Sequence, residues 1–233
     1  MNSLLRLLVL GGLLVAPRLF GVEAFEGRVT LSLSSTKGPA REISYSMKGG
    51  KIRMDMEAGG QQASMIMDIE KHETLMLMPR QHMYMVMPMK QAVERAAATG
   101  AGSTAEFEPT GKTETILGHT CEQILIRDKG TTTESWMASD LGTFMGMGAN
   151  TNPMAGVLSS GAAGAAGARW EEVVKNRGGF PLRVISRDAS GRETFRMEAT
   201  KVEPASLPDS LFVPPAEYKK FAMPSMGNFL PPR

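Results

Sequence analysis

The sequence predicts a mainly β fold built around an antiparallel sheet. Three observations carry this prediction. Short segments in which apolar and polar side chains alternate with period two recur along the chain. Turn residues separate these segments at short intervals. The short loops between them then bring the apolar side chains of neighbouring segments to the same face.

The first 24 residues have the pattern of a cleavable export signal. Arg6 precedes an apolar run, and Val22 and Ala24 place small residues at positions −3 and −1 before Phe25. The run is roughly half as long as the about 20 residues that span a bilayer, so a membrane anchor is the weaker alternative. No cysteine near residue 24 offers a site for a lipid anchor. We expect cleavage after Ala24 and a periplasmic or secreted protein.

The chain that remains suits a single domain of ordinary size. Cleavage leaves 233 − 24 = 209 residues, and Cys121 is the only cysteine, so no intramolecular disulfide can form. The formal charge of +2 includes a contribution of +1 from Arg6, Arg18 and Glu23, which leaves +1. A nearly neutral chain argues against nucleic acid as a partner. The predicted parts are a signal peptide over 1–24, one β domain over 25–213 and a loose C-terminal tail over 214–233.

Residues 25–87 predict a run of hairpins whose registers follow from their loops. The loops are 49–50, 58–61, 70–73 and 79–82. They predict the pairs Tyr45 with Met54, Met54 with Met65, Met65 with Met78, Met67 with Met76, Met78 with Met83, and Met76 with Met85. All four loops place these side chains on one face, which we call the methionine face. Its predicted ligand-binding residues are Tyr45, Met54, Met56, Met65, Met67, Met76, Met78, Met83, Met85 and Met87.

The opposite face changes character along the predicted hairpins. On the early strands it carries polar residues suited to solvent, among them Arg53, Asp55 and Ser64. On the later strands it carries Leu75, Leu77, Tyr84 and Val86. Apolar residues on both faces of a strand predict that another segment covers the second face.

The remainder of the chain alternates between further strands and less regular segments. Residues 89–98 are helix-prone, 99–105 form a loose connector, and 170–175 suit a short helix or strand. Strands are predicted at 116–117, 121–127, 131–137, 182–187 and 193–202. Residues 142–168 are a flexible Gly/Ala-rich insertion, because each Gly costs about 1 kcal/mol relative to Ala in a helix. We expect this insertion to be a mobile loop or broken helix that lies over the methionine face.

Methionine is abundant, with 19 residues in 233, and three interpretations remain open. The first is core packing, in which each buried side chain stabilises the fold by about 1.5–3 kcal/mol. The second is an apolar binding face, because the flexible thioether adapts to varied ligands. The third is Cu(I) binding, because thioethers are soft ligands. Strand alternation by itself explains the spacing of Met83, Met85 and Met87.

No arrangement of residues predicts an enzyme, a cofactor or a metal site. The sequence has no nucleophile elbow, no acid paired with a base, and no phosphate-binding loop. His119 and Cys121 could form half of a metal site, but His72 and His82 lie in predicted turns. We expect Cys121 to be a small buried apolar residue.

Several short motifs occur in an order typical of one family. They include Phe25-Glu26-Gly27, residues 51–55 and 65–68, residues 116–122, and Phe212-Val213-Pro214. In this order the chain resembles the exported bacterial domain-of-unknown-function family 4412, over most of residues 25–220. That family is similar to lipoprotein carriers of the LolA/LolB type. The resemblance implies a curved antiparallel sheet, or half-barrel, with a few helices packed on its concave face and acyl chains held there.

Together these observations favour an exported, non-catalytic binding or carrier protein. The expected partner is a lipid or the acyl chain of a lipoprotein, sheltered on the methionine face. The alternatives are a periplasmic protein that binds Cu(I) through methionine, and an envelope structural or assembly protein with no small ligand. No nucleic acid partner, and no transmembrane segment after signal cleavage, is expected.

Overall fold

The protein folds around one large, mostly antiparallel β-sheet. The structure is a computed structural model that describes residues 25–36, 38–58, 61–88, 106–128, 130–142, 144 and 179–221. Within these residues the strands are β1 Gly27–Ser35, β2 Gly38–Lys48, β3 Lys51–Ala58, β4 Gln61–Asp68, β5 Glu73–Met78, β6 Met83–Pro88, β7 Glu106–Ile116, β8 His119–Asp128, β9 Thr131–Ala138, β10 Phe180–Arg187, β11 Glu193–Pro204 and β12 Lys219–Lys220. Two short 3₁₀ turns, Pro79–Gln81 and Asp209–Phe212, accompany them. The predicted mainly β fold is confirmed.

The prediction of helices on a concave face finds no counterpart in this part of the chain. The described residues contain strands and 3₁₀ turns but no α-helix. Among these residues there is no helical segment long and apolar enough to cross a membrane. The segments for which we expected helix, 89–98 and 170–175, lie outside the described residues. The same holds for most of the Gly/Ala-rich insertion at 142–168. Over the described residues the architecture is therefore an open sheet without a helical layer.

The strands form two meanders that meet in the middle of the sheet. Their order is β12-β6-β5-β4-β3-β2-β1-β11-β10-β9-β8-β7. The first six strands follow one another outward from β1 to one side, and β11 joins β1 from the other side. Only β12 is parallel to its neighbour, β6. The chain therefore passes from β6, near one edge, to β7 at the opposite edge.

Three of the four predicted hairpin registers are confirmed. Tyr45 lies opposite Met54, Met54 opposite Met65, and Met76 opposite Met85. The first of these hairpins turns through Gly49 and Gly50, whose φ angles of 51° and 76° suit a tight two-residue turn.

The predicted register between β4 and β5 is wrong by two residues. Met65 lies opposite Met76, not Met78, because Asp68 pairs with Glu73 and closes a loop over residues 69–72. The Asp68 carboxylate accepts a hydrogen bond from the Lys71 backbone N–H at 3.0 Å, and His72 adopts a left-handed φ of 54°. A shift of two residues keeps every side chain on its face. The predicted methionine face therefore survives the error.

The side chain of Arg183 links several strands on the side of β7–β10. Arg183 on β10 is separated from β7 by two strands, yet its guanidinium donates to both carboxylate oxygens of Glu114 at 2.9 and 3.0 Å. Neighbouring strands lie about 4.8 Å apart, so three spacings in a flat sheet would separate the backbones by about 14 Å. The long Arg183 side chain and the Glu114 side chain together bridge this separation and tie β10 to β7 across β8 and β9. Arg183 also donates to Glu198 on β11 at 2.9 Å, which extends the link across five strands.

The main hydrophobic core lies on one face of the central strands. Val29, Leu31, Tyr45, Met54 and Met65 are almost completely buried there. Phe144 and Phe180 come from the far half of the chain and pack against Tyr45. The central part of the predicted methionine face is therefore packed core.

A C-terminal strap covers the opposite face of β3–β6. We define the strap as residues 205–221. Its Leu207 and Phe212 are buried together with Ile66 and Leu77, and Leu75 and Tyr84 pack against this cluster. The prediction that another segment covers these later strands is confirmed. At its end the strap forms β12, so residues 218–221 of the predicted loose tail lie against the sheet, while 222–233 lie outside the described residues.

Candidate functional site

Five methionines form a contiguous apolar surface near one edge of the sheet. Met76 and Met78 lie on β5, and Met83, Met85 and Met87 lie on β6. Side chains two residues apart on a strand point to the same face. The register places Met76 directly opposite Met85 and Met78 directly opposite Met83, while Met87 faces Thr74. We call these five residues the methionine patch.

Burial divides the ten residues of the methionine face into two groups. Tyr45, Met54, Met56, Met65 and Met67 on β2–β4 are all buried, with at most 8% of any of them exposed. The five residues of the methionine patch are each half-buried. The structure thus brings all ten residues onto one face, but it leaves only the patch open to a ligand without rearrangement.

Aromatic packing closes the central part of the face. The Tyr45 ring stacks on Phe144 at a centroid distance of 5.4 Å and meets Phe180 edge to face at 5.2 Å. Phe144 and Phe180 contact each other at 5.0 Å. Offset and edge-to-face aromatic pairs at such distances stabilise a core beyond the area that they bury. Tyr45 is therefore a core residue around which the centre of the face is built.

Sequence analysis did not identify Phe144 and Phe180 as partners of this face. Both residues lie far along the chain from Tyr45: Phe144 is near the start of the Gly/Ala-rich insertion, and Phe180 follows the insertion. The available signal was the position of two large aromatic residues at the ends of a segment otherwise poor in them. Local periodicity contains no information about such distant pairing.

The face offers thioethers and hydrocarbon rather than ionisable groups. Thr74 is the polar residue that β5 contributes to this face, and it is buried. In the described part of the chain, no group of three or more His, Cys, Asp or Glu side chains is arranged to hold a metal ion. The patch can therefore contact an apolar chain or a soft cation, but it has no group for proton transfer.

The pair His119 and Cys121 does not form a reactive centre. The His119 Nδ1 atom lies 2.7 Å from the Asp140 carboxylate, which positions the ring. Cys121 is completely buried, and this burial raises the pKa of its thiol to about 11. A thiol with such a pKa is protonated at neutral pH and is a poor nucleophile and metal ligand. His72 and His82 lie in turns, as predicted.

A polar groove of about 840 Å³ lies where the β8–β9 and β10–β11 turns meet. Arg127, Asp128, Arg187 and Asp188 are among the residues that line it. Arg127 is paired with Glu108, and Arg187 with Glu193. The Asp188 carboxylate accepts hydrogen bonds within its own turn from Ser190 and Arg192, which hold the pKa of Asp188 down at about 2. These charges are internally satisfied, so the groove is a weaker candidate than the patch.

These features define a class of protein with one open, mainly antiparallel sheet and an apolar face that is packed at its centre. The chain belongs to the family DUF4412, a domain of unknown function, whose model matches residues 25–218. This membership confirms the resemblance on which the sequence prediction relied.

Three solved proteins of different kinds have some structural likeness to the chain. PNGF-II is 16% identical with a TM-score of 0.45, and the match covers 85% of this chain and 31% of PNGF-II. MucB in complex with MucA(peri) is 10% identical with a TM-score of 0.40, over 91% of this chain and 61% of MucB. A LolA superfamily protein from Nitrosomonas europaea is 12% identical with a TM-score of 0.33, over 83% of this chain and 91% of that protein. The chain thus spans about a third of the length of PNGF-II. No curated protein matches the sequence.

Proposed function

We propose that this is an exported, non-catalytic binding or carrier protein whose methionine patch holds an acyl chain of a lipid or lipoprotein. One observation carries the proposal, which is the contrast in burial along a single face. Five neighbouring methionines stay half-buried beside a core in which equivalent methionines are almost fully buried. An apolar surface that a fold leaves partly open is a common mark of a binding site.

The chemistry of methionine suits a ligand of this kind. Its side chain has three rotatable bonds and a polarizable sulfur, so a patch of methionines adapts to flexible apolar chains. A core that needed only to be filled is better specified by Leu, Ile and Val, whose rotamers are firmer. The adjacent packed core holds β5 and β6 in place, which gives the adaptable patch a rigid support.

The other parts of the proposal have separate support. Export is supported by the signal pattern of residues 1–24 and by a family match that begins at residue 25. A non-catalytic role is supported by the buried thiol of Cys121, whose raised pKa keeps it protonated at neutral pH. We base the proposed periplasmic location and lipid or lipoprotein partner on the resemblance to the LolA/LolB type of carrier.

The proposal is tested by binding of a fluorescent long-chain fatty acid to the mature protein and to the variant Met76→Gln/Met85→Gln. The two substitutions replace one cross-strand pair of thioethers by amides of similar length. We expect the affinity to fall by at least about tenfold, because burying an amide without a hydrogen-bond partner is costly. Native mass spectrometry of gently purified mature protein should also detect a bound lipid.

A matched control distinguishes loss of the site from general damage. Thr120→Gln/Glu122→Gln places the same side chains at two exposed positions on β8 and should leave fatty acid binding unchanged. Equal affinity of the patch variant and the control would refute the acyl-chain proposal, provided that both variants retain their circular dichroism spectrum.

The packed centre of the sheet supports a second candidate, an envelope structural or assembly protein with no small ligand. The Tyr45, Phe144 and Phe180 cluster fills the region where a deep carrier cavity would otherwise lie. Under this alternative the mature protein carries no lipid and binds no fatty acid. The same two measurements therefore separate the two functions.

A further inference from the structure

We propose that the methionine patch is also a binding site for a soft monovalent cation, Cu(I), with methionine thioethers as its ligands. The proposal concerns the same five side chains as the acyl-chain proposal. It rests on their sulfur atoms rather than on their apolar surface, so either proposal can hold without the other.

The register of β5 and β6 brings the thioethers within reach of a common point. Met76 and Met85 are directly opposite each other, and so are Met78 and Met83. The Cβ atoms of such cross-strand pairs lie about 4.5–5.5 Å apart. Each methionine side chain has three rotatable bonds beyond Cα, so the two sulfur atoms of a pair can approach one ion from opposite strands.

A third ligand is available from a neighbouring position on the same face. Met83 and Met87 flank Met85 on β6, and residues two apart on a strand are separated by about 6.8 Å. The flexible side chain of either residue can cover this separation together with that of Met85. Rotation about side-chain bonds can therefore bring three thioethers to one ion without a change in the backbone register.

The donor set determines which ion the patch would accept. Thioethers are soft, neutral ligands that favour Cu(I) over hard cations. Carboxylates and imidazoles would favour other metals, and the described residues contain no group of three or more His, Cys, Asp or Glu side chains that could hold an ion. The patch is thus suited to Cu(I) and its redox-inert analogue Ag(I), and unsuited to Mg²⁺ or Ca²⁺.

Half-burial distinguishes the patch from the other methionines of the same face. Met54 and Met65 are also directly opposite each other, but they are 0% and 1% exposed in the packed core. An ion could reach them only after the packed core around them had opened. The patch is open enough for entry, and these buried methionines provide an internal control with the same chemistry.

The test is a competition between the mature protein and a chromogenic Cu(I) chelator under anaerobic, reducing conditions. The patch variant is Met76→Leu/Met83→Leu/Met85→Leu, and the control is Met47→Leu/Met54→Leu/Met65→Leu. Leu conserves apolar volume, so both variants should remain folded, and circular dichroism would verify this. We expect the patch variant to lose Cu(I) affinity by at least about tenfold and the control to retain it.

Two outcomes would overturn the copper proposal. One is equal Cu(I) affinity in the wild type and the patch variant. The other is an equal loss in both triple variants, which would mean that binding depends on a general property of the core. Titration of the wild type with Ag(I), followed by the NMR signals of ¹³C-labelled methionine methyl groups, gives an independent readout. We expect shifts at the patch methyl groups and not at those of Met54 and Met65.

The design also separates this proposal from the acyl-chain proposal. The Leu patch variant keeps an apolar surface and should still bind the fatty acid, whereas the Gln variant should not. Lost copper binding with retained fatty acid binding in the Leu variant supports thioether ligation in particular. A wild-type protein that binds Cu(I) but does not bind the fatty acid would refute only the acyl-chain function.

Discussion

At the scale of single residues, methionine serves two different roles on one face of the sheet. Met54 and Met65 fill a packed core, whereas Met76 and Met85 remain half-buried a short distance away. Alternation predicted correctly that all four residues share a face. It could not predict how deeply each is buried, because that depends on Phe144 and Phe180, which approach from the distant half of the chain.

Cys121 provides a residue-level test of the packed core. Its pKa is raised from 9.0 to about 11 by burial, so at pH 8 the thiolate is roughly 100-fold scarcer than in an exposed cysteine. We expect iodoacetamide to alkylate the native protein at least about 100-fold more slowly than the urea-unfolded chain at this pH. The smaller thiolate fraction by itself accounts for a decrease of roughly 100-fold. Similar rates in the two states would contradict a fully buried thiol.

The same shift fixes the sign of a change in stability with pH. Below pH 9 the thiol is protonated in both the folded and the unfolded chain, so it makes no pH-dependent contribution. As the pH rises from about 9 to about 11, the unfolded chain releases the proton and the folded chain keeps it. The contribution of Cys121 to the free energy of unfolding therefore falls over this range, and Cys121→Ala should remove that part of the alkaline loss.

At the scale of elements, the strap shows how polar residues can be misassigned from alternation. Arg53, Asp55 and Ser64 suited solvent in the sequence. In the structure Arg53 donates to the Leu211 carbonyl at 3.0 Å and binds Asp55, while the Ser64 hydroxyl donates to Asp55 at 2.5 Å. Lys48 likewise donates to the Leu207 carbonyl at 2.5 Å. These side chains satisfy backbone groups of a segment more than 140 residues away, which local patterning cannot detect.

Hairpin registers were predictable for a simple reason, and the one error has an equally local cause. A short loop determines which residues face each other, and apolar patterning then determines the face. The β4–β5 loop was placed one residue too late, because the hydrogen bond from Lys71 to Asp68 closes the turn earlier than composition indicated. The segments predicted as helix, and most of the insertion, lie outside the described residues.

The stabilising role of the strap is tested by a pair of adjacent substitutions. Phe212 is buried against Ile66 and Leu77, whereas its neighbour Val213 is 47% exposed. We expect Phe212→Ala to lower the free energy of unfolding by about 3 kcal/mol, at the lower end for a buried aromatic residue. Val213→Ala should change it by less than about 0.5 kcal/mol.

Urea unfolding followed by circular dichroism measures both substitutions of the strap. A small effect of Phe212→Ala, comparable to that of Val213→Ala, would mean that the strap does not contribute to the stability of the sheet. A large effect would establish that the packing of Phe212 makes the strap part of the folded unit.

At the scale of the whole molecule, the first residues after the proposed cleavage site already form part of the folded domain. The Glu26 carboxylate accepts a hydrogen bond from the Leu207 backbone N–H at 2.6 Å, and its carbonyl accepts one from Ala205 at 3.1 Å. β1 begins at Gly27 and lies between β2 and β11 in the middle of the sheet. Cleavage after Ala24 would leave all of these contacts intact, whereas cleavage a few residues later would remove them.

The site of signal cleavage therefore provides a test of the proposed export. Expressed at full length in a Gram-negative host, the protein should appear in the periplasm with Phe25 as its N-terminal residue, as determined by mass spectrometry. Ala24→Arg places a large charged residue at position −1 and should block processing. Glu23→Arg places the same side chain at position −2, where a small residue is not required, and should be processed normally. Equal processing of both variants, or an unprocessed wild type in the cytoplasm, would refute export through this signal.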